Sequence, residues 1–272
     1  MQILAGKTLR TVPAFDAVQA VAVDARCFYA VNSRRITKHD KETGQPLCQW
    51  DGGERGPIIH LDSGVTSEGI LYAAHSNWPA WPMASSVEMW DTETMAHVAT
   101  YSFGIKLGSF TWLDRYNGYW WGAFANYSRV QKHQPLPYGH TYRTQVVKMD
   151  DAFRILEAWT FPDELLHRFD PMSNSGGSWG PDGRLYVTGH DQPEVYVMEL
   201  PQAGSLLRWV ATVRASGIEG QGIAWERGGD GPTLWGILRR ERQVVQLSVP
   251  LLAGKPEPNP LGVVRGAGEF VR

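Results

Sequence analysis

The sequence is short of cysteine, of any charge excess and of long apolar runs. Its two cysteines, Cys27 and Cys48, each lie in or beside an apolar run, where a free thiol behaves as a small hydrophobe. That argues against a disulfide-stapled scaffold and against a thiolate metal site. The 26 Lys and Arg stand against 28 Asp and Glu, a net charge of −2, so no basic field exists to hold a phosphate backbone and nucleic acid is not an expected partner. No stretch approaches the ~18 apolar residues of a membrane helix. Met1 to Lys7 lacks the basic start and apolar core of a signal peptide, so the chain reads as cytoplasmic with no membrane partner. Also missing are a Gly-x-Ser-x-Gly elbow, a phosphate-binding Gly-x-x-x-x-Gly-Lys, a His-Glu-x-x-His and a Cys-x-x-Cys. Gly220-Gln-Gly222 has no helix behind it, so no nucleotide cofactor is expected; its glycines read as close packing at an inner strand.

What is present is a repeat. A short strand of small and apolar residues, a polar turn and a second strand opening apolar-aromatic recur five times: Val21–Asp24 with Phe28-Tyr29, Gly64–Thr66 with Leu71-Tyr72, Phe110–Trp112 with Trp120-Trp121, Ser178-Trp179 with Leu185-Tyr186, and Ile223–Trp225 with Leu234-Trp235. A third strand follows each pair, at Ile36–His39, Val87–Trp90, Val146–Met149, Val195–Met198 and Val244–Leu247. A fourth is legible in four units, at Pro46–Trp50, His97–Tyr101, Ile155–Trp159 and Leu206–Val210. Four strands per unit without helical periodicity predict an all-β, single-domain, five-bladed β-propeller of four-stranded antiparallel blades, with a six-bladed ring as the alternative. The blades fall at about 19–50, 57–103, 108–162, 173–215 and 219–250. The fifth lacks a clear fourth strand, and either 8–12 or 262–265 would close the ring and cover a sheet edge. Of the twelve tryptophans, Trp90, Trp112, Trp159, Trp179, Trp209 and Trp225 occupy strand positions suited to packing between blades, whereas Trp78 and Trp81 lie in a Pro-rich loop.

In a propeller, the loop entering each innermost strand and the loop between the second and third strands share one face. The turns of the opposite face, such as Asp24–Arg26, Ser67–Gly69 and Pro181–Gly183, are short and generic. The first face collects His60, Asp62, Ser63, His75, Asn77, Asn126, Tyr127, Asn174, Ser175, His190, Asp191, Glu219, Gln221, Arg239 and Arg240. Blade 3 adds an insertion of roughly 128–144, with His133, Tyr138 and His140. Neutral imidazoles converging from different blades suit a divalent ion such as Mn, Zn, Fe or Ca, which gives His60, His75 and His190 as metal ligands. His60, Asp62, Glu219 and Arg240 are the catalytic candidates, as acid, base and substrate-carboxylate partner. Ser63, Asn77, Trp78, Asn126, Tyr127, Ser175 and Gln221 are the substrate-binding candidates, Trp78 as a stacking face for a sugar. The expected activity is lyase, isomerase or hydrolase chemistry on a small polar molecule or carbohydrate, a sugar, sugar acid or lactone. The competing expectation is a non-catalytic scaffold that binds a protein or glycan through the same face.

Five segments carry a resemblance: His60–Gly64, Ala74–Asn77, Ser175–Gly183, Leu185–Asp191 and Glu219–Gly222. They resemble a little-characterised bacterial β-propeller family, some members of which are labelled cycloisomerase. More distantly, the repeat number and Tyr186–Pro193 resemble the five-bladed glutaminyl cyclotransferases. Here His190 follows Thr188-Gly189 where that family has lysine, and Asp62-Ser63-Gly64 stands where it has Gly-Glu-Gly.

Overall fold

The structure is a computed structural model and describes residues 1–105, 107–130, 139–228, 231–254 and 256. Five sheets are arranged as the blades of a propeller. Blade 1 comprises Ala20–Val23, Cys27–Val31, Arg35–Asp40 and Pro46–Asp51, and blade 2 comprises His60–Ser67, Ile70–Ser76, Ser85–Asp91 and His97–Gly104. Blade 3 comprises Ser109–Tyr116, Tyr119–Ala125, Gln145–Met149 and Ile155–Thr160. Blade 4 comprises Gly176–Trp179, Leu185–Thr188, Glu194–Glu199 and Arg208–Arg214, and Gln2–Ala5 adds to its outer edge in parallel. Blade 5 is Ala224–Trp225, Thr233–Leu238 and Gln243–Ser248, and its outer strand is Lys7–Pro13 from the other end of the chain. The alternative closing segment, 262–265, lies outside the described residues.

Two local details depart from the strand pattern of the sequence. The outer strand of blade 4 begins at Arg208, not Leu206, because Leu206 instead bridges Thr160 of the preceding blade. A short helix, Asp163–Phe169, joins blades 3 and 4, with Asp163 and Glu164 in its first turn and His167 and Arg168 in its last, each complementing the helix dipole. It buries Leu165, Leu166 and Phe169 against the aromatic layer between those blades. No helix among the described residues is long and apolar enough to cross a membrane.

The turns form for local reasons. At Asp40 and Asp91, which end third strands, the carboxylate accepts the N–H and hydroxyl of the threonine three residues on, Thr43 and Thr94. Those bonds favour the ionised form and hold both carboxyl groups below the usual carboxylate range.

Between blades, alternate strand positions meet as aromatic layers. Trp90, Trp112, Trp159, Trp179 and Trp225 are buried there and Trp209 is half-buried. Burying an aromatic side chain removes roughly 150–250 Å² from water, about 4–6 kcal/mol before the entropy of ordering is set against it. Both cysteines are free thiols. At the axis the inner strands approach so closely that a Cβ at Gly222 would overlap that of Ala20, and one at Gly177 would overlap the Trp112 indole.

Candidate functional site

The first-face end of the axis is shaped by an irregularity in blade 2. Along the innermost strand His60 pairs with Ser76 and Leu61 with His75, but the next pair is Gly64 with Ala73. Asp62 and Ser63 therefore both stand against Ala74, a β-bulge of the kind that re-aims side chains beside functional sites. His60 and Asp62 share one face of the strand, and His60 Nε2 lies 3.2 Å from Asp62 Oδ1. The other ring nitrogen, Nδ1, faces the Ser33 hydroxyl at 3.4 Å, and Gln19 Nε2 donates to the same hydroxyl at 3.1 Å. The Trp78 ring lies 5.0 Å from the imidazole, centroid to centroid.

Two polar atoms here are buried without a hydrogen-bond partner among the described residues: Asp62 Oδ2, an acceptor, and Trp78 Nε1, a donor. Tyr127 packs on Trp78 and Met83, and burial, then the nearby Asp62 carboxylate, push its phenol above the ordinary range. Unsatisfied buried polar atoms are uncommon in native proteins, and a donor and an acceptor on two residues that both contact the His60 imidazole suit a hydroxyl-bearing ligand.

His75 sits close by but is fully committed. Its Nε2 accepts the Ile59 N–H at 3.2 Å, so Nδ1 carries the proton and donates to Ser86 Oγ at 2.8 Å. Ser86 in turn donates to Glu88 Oε1 at 2.6 Å, and Glu88 Oε2 receives Thr100 Oγ1 at 2.6 Å and lies 2.8 Å from His97 Nε2. Burial lowers the His75 pKa, with Glu88 and Asp62 opposing, and neither ring nitrogen keeps a lone pair for a metal.

His190 belongs to a different group, between blades 4 and 5. Its Nδ1 lies 2.7 Å from Asp191 Oδ2 and its Nε2 3.4 Å from Arg239 Nη1. Among the described residues, no three of His, Cys, Asp and Glu are grouped so as to hold a metal ion. The expected three-histidine shell of His60, His75 and His190 is therefore not assembled, because strand register commits one imidazole to backbone and places another elsewhere.

The remaining candidates divide between ligand-facing and architectural positions. Glu219 and Arg240 pair with each other on blade 5, Nε to Oε1 3.7 Å, with Arg240 largely exposed. Gln221 is buried, with φ of 65°, and donates from Nε2 to the His190 carbonyl while its own carbonyl accepts Thr188 Oγ1. Ser63 accepts the Leu113 N–H, tying blade 2 to blade 3. Asn126 donates to the Leu107 and Arg143 carbonyls. Asn77 braces its own Pro-rich loop through Pro82 and Ala84. Ser175 donates to the Ser173 carbonyl at 3.5 Å and is half-buried. Of the blade 3 insertion, His133 and Tyr138 lie outside the described residues, and His140 stacks on Tyr142.

Sequence reasoning missed Ser33 and Gln19, which reach the site from blade 1. The available signal was Ser33's place in a turn between second and third strands, on the face already rich in polar residues. It also missed a cavity of about 220 Å³ at the opposite end of the axis, lined by all five innermost strands. There Asp114 is buried and receives the Arg115 and Trp179 N–H groups, the Ser178 hydroxyl and Arg227 Nη2, which spans both oxygens at 3.0 and 2.8 Å. This carboxylate joins blades 3, 4 and 5. Strand register places it where the other blades carry Ala22, Val65, Ser178 and Ala224.

No protein-family model matches the chain, and no curated protein matches it. Among solved structures it is similar to the PQQ-bound form of aldose sugar dehydrogenase from Streptomyces coelicolor, with 16% identity, a TM-score of 0.52, and coverage of 93% of this chain and 83% of that one. Hydrazine synthase from Kuenenia stuttgartiensis also matches, at 12% identity and a TM-score of 0.47 over 86% and 70% of the two chains. The first likeness establishes propeller architecture, and neither lends support to a cycloisomerase or cyclotransferase label.

Proposed function

We propose that the protein is an enzyme acting on a small hydroxylated substrate, a sugar, sugar acid or lactone, by proton transfer at His60. The observation that carries this reading is the pair of uncommitted buried atoms, Asp62 Oδ2 and Trp78 Nε1, on two residues that both contact an imidazole already oriented by Asp62 Oδ1. A substrate hydroxyl bridging them would satisfy both and bring its carbon skeleton over the Trp78 ring. His60 then gives or takes a proton, and Asp62 stabilises the imidazolium form. The chemistry is assigned to the His60 and Asp62 pair, whose geometry suits acid-base work without further ligands. A sugar-class substrate agrees with the name of the Streptomyces propeller, an aldose sugar dehydrogenase.

The test is a screen of aldoses, sugar acids and sugar lactones with wild type, His60→Gln and Asp62→Asn. Loss of about 10²–10⁴-fold in turnover in both variants, at unchanged melting temperature, supports the reading. Full activity in His60→Gln refutes it.

A further inference from the structure

From the reach of one hydroxyl, we infer that Ser33 is a nucleophile and that Ser33, His60 and Asp62 form an acyl-transfer triad acting on a lactone or ester; this rests on the His60 and Asp62 reading above. Three observations carry it. Ser33 Oγ faces His60 Nδ1 at 3.4 Å while His60 Nε2 faces Asp62 Oδ1 at 3.2 Å, the order nucleophile, base, orienting carboxylate. Such triads are recognised by geometry and not by chain order, and nucleophile-to-base distances are often long before substrate binds. Second, Ser33 is held on a tight turn that presents its side chain outward: the Asn32 N–H donates to the Arg35 carbonyl, the Ser33 N–H to Asn32 Oδ1, and the Ser33 carbonyl receives the Leu61 N–H from the His60 strand. The backbone bond to Leu61 fixes the spacing of nucleophile and base across two blades.

Third, Ser33 borders an open cavity of about 510 Å³ together with Asn32, Arg34, Arg35, Asp51, Gly53 and Glu54, within the size range of small-ligand sites; of the three triad residues Ser33 alone lines it. Gln19 Nε2 donates to Ser33 Oγ at 3.1 Å, which leaves the hydroxyl proton free to point at His60. The polar lining suits a hydroxylated acyl group.

In the reaction, the Ser33 Oγ–C bond forms at the acyl carbon as the hydroxyl proton passes to His60 Nδ1, and the carbonyl π pair moves onto oxygen. Collapse breaks the ester C–O bond, and the leaving alkoxide takes the proton from His60; in a lactone it stays tethered. Water, deprotonated by His60, then attacks the acyl-serine and Oγ leaves with that proton. No redox partner is required.

The experiment uses the whole protein with a fluorophosphonate probe, read by intact mass and peptide mapping, alongside turnover of p-nitrophenyl acetate and gluconolactone. The expected result is one adduct on Ser33, formed at least tenfold more slowly in His60→Gln, with ester and lactone turnover lost in Ser33→Ala and unchanged melting temperature. Ser33→Cys is the second variant, since it retains the bonding capacity of the turn and should be alkylated faster than a His60→Gln, Ser33→Cys double variant. No adduct on Ser33, or equal labelling with and without His60, overturns the triad. Lactone turnover surviving in Ser33→Ala but lost in His60→Gln overturns the triad while the proton-transfer reading stands. Turnover surviving in His60→Gln overturns both.

Discussion

His75 and Glu88 are joined through a single hydroxyl: Ser86 Oγ receives the imidazole proton at 2.8 Å and passes its own to the carboxylate at 2.6 Å. With Nε2 capped by the Ile59 N–H, this chain fixes His75 as a neutral imidazole, and burial lowers its pKa. Burial likewise lowers that of His39.

A histidine whose pKa is lower folded than unfolded has a definite signature. The unfolded chain takes up protons first, so stability is complete above the unfolded value of ~6.5 and falls as pH drops below it. Melting temperature should therefore decline from about pH 7 to pH 5, and His75→Gln should reduce the steepness of the decline. A pH-independent melting temperature over that range would contradict the assignment.

Removing Arg227 should be costly because Asp114 stays behind as a buried charge without a counter-ion. Burial already pushes the Asp114 carboxyl above its usual range, and the Arg227 guanidinium is the largest opposing influence. Arg227→Met should destabilise by about 3 kcal/mol at neutral pH. Its Asp114 then titrates higher than the unfolded aspartate, so the variant regains stability relative to wild type as pH falls. Paired denaturant titrations at neutral and acidic pH measure this directly.

Asn174 should matter for stability and little for turnover. It accepts the Trp112 indole N–H at 2.6 Å across the blade 3 and blade 4 boundary and donates to the Gly176 and Thr188 carbonyls. Asn174→Ala leaves the buried Trp112 indole N–H without its acceptor and takes one donor from each of the Gly176 and Thr188 carbonyls, of which Thr188 keeps the Ser175 N–H, a loss on the order of 2 kcal/mol. Differential scanning calorimetry should show a lower melting temperature without loss of the propeller's circular dichroism.

At Gln221 the backbone, not the side chain, sets the response. Its φ of 65° suits glycine and opposes branching, and its side chain makes one bond at 3.2 Å. Gln221→Gly should lie within about 1 kcal/mol of wild type, whereas Gln221→Val should lose more than that. Chemical denaturation midpoints of the two variants separate the effects.

The five units and the inner, second and third strands of each were legible because a strand writes its burial into alternate residues and each blade repeats the same aromatic anchor. His60 and Asp62 were legible as polar candidates of the loop entering blade 2, but that both lie on its inner strand and meet there was decided by the structure. The committed state of His75 was not legible, because Ile59 and Ser86 reach it only through cross-strand register. Nor was Asp114's partner, Arg227, which comes from more than a hundred positions away in blade 5 and reaches blade 3 past the blade between them.

Sequence alone therefore determined the architecture and the polar first face, both consequences of short-range periodicity and turn chemistry. Tertiary structure decided which polar side chains were spent on holding blades together, as with Ser63 and Gln221, or on bracing loops, as with Asn126, and which remained uncommitted, as with Asp62 Oδ2. The reason is physical: hydrogen-bond saturation depends on distances between separate blades, and those are set by how the aromatic layers pack and not by any spacing along the chain.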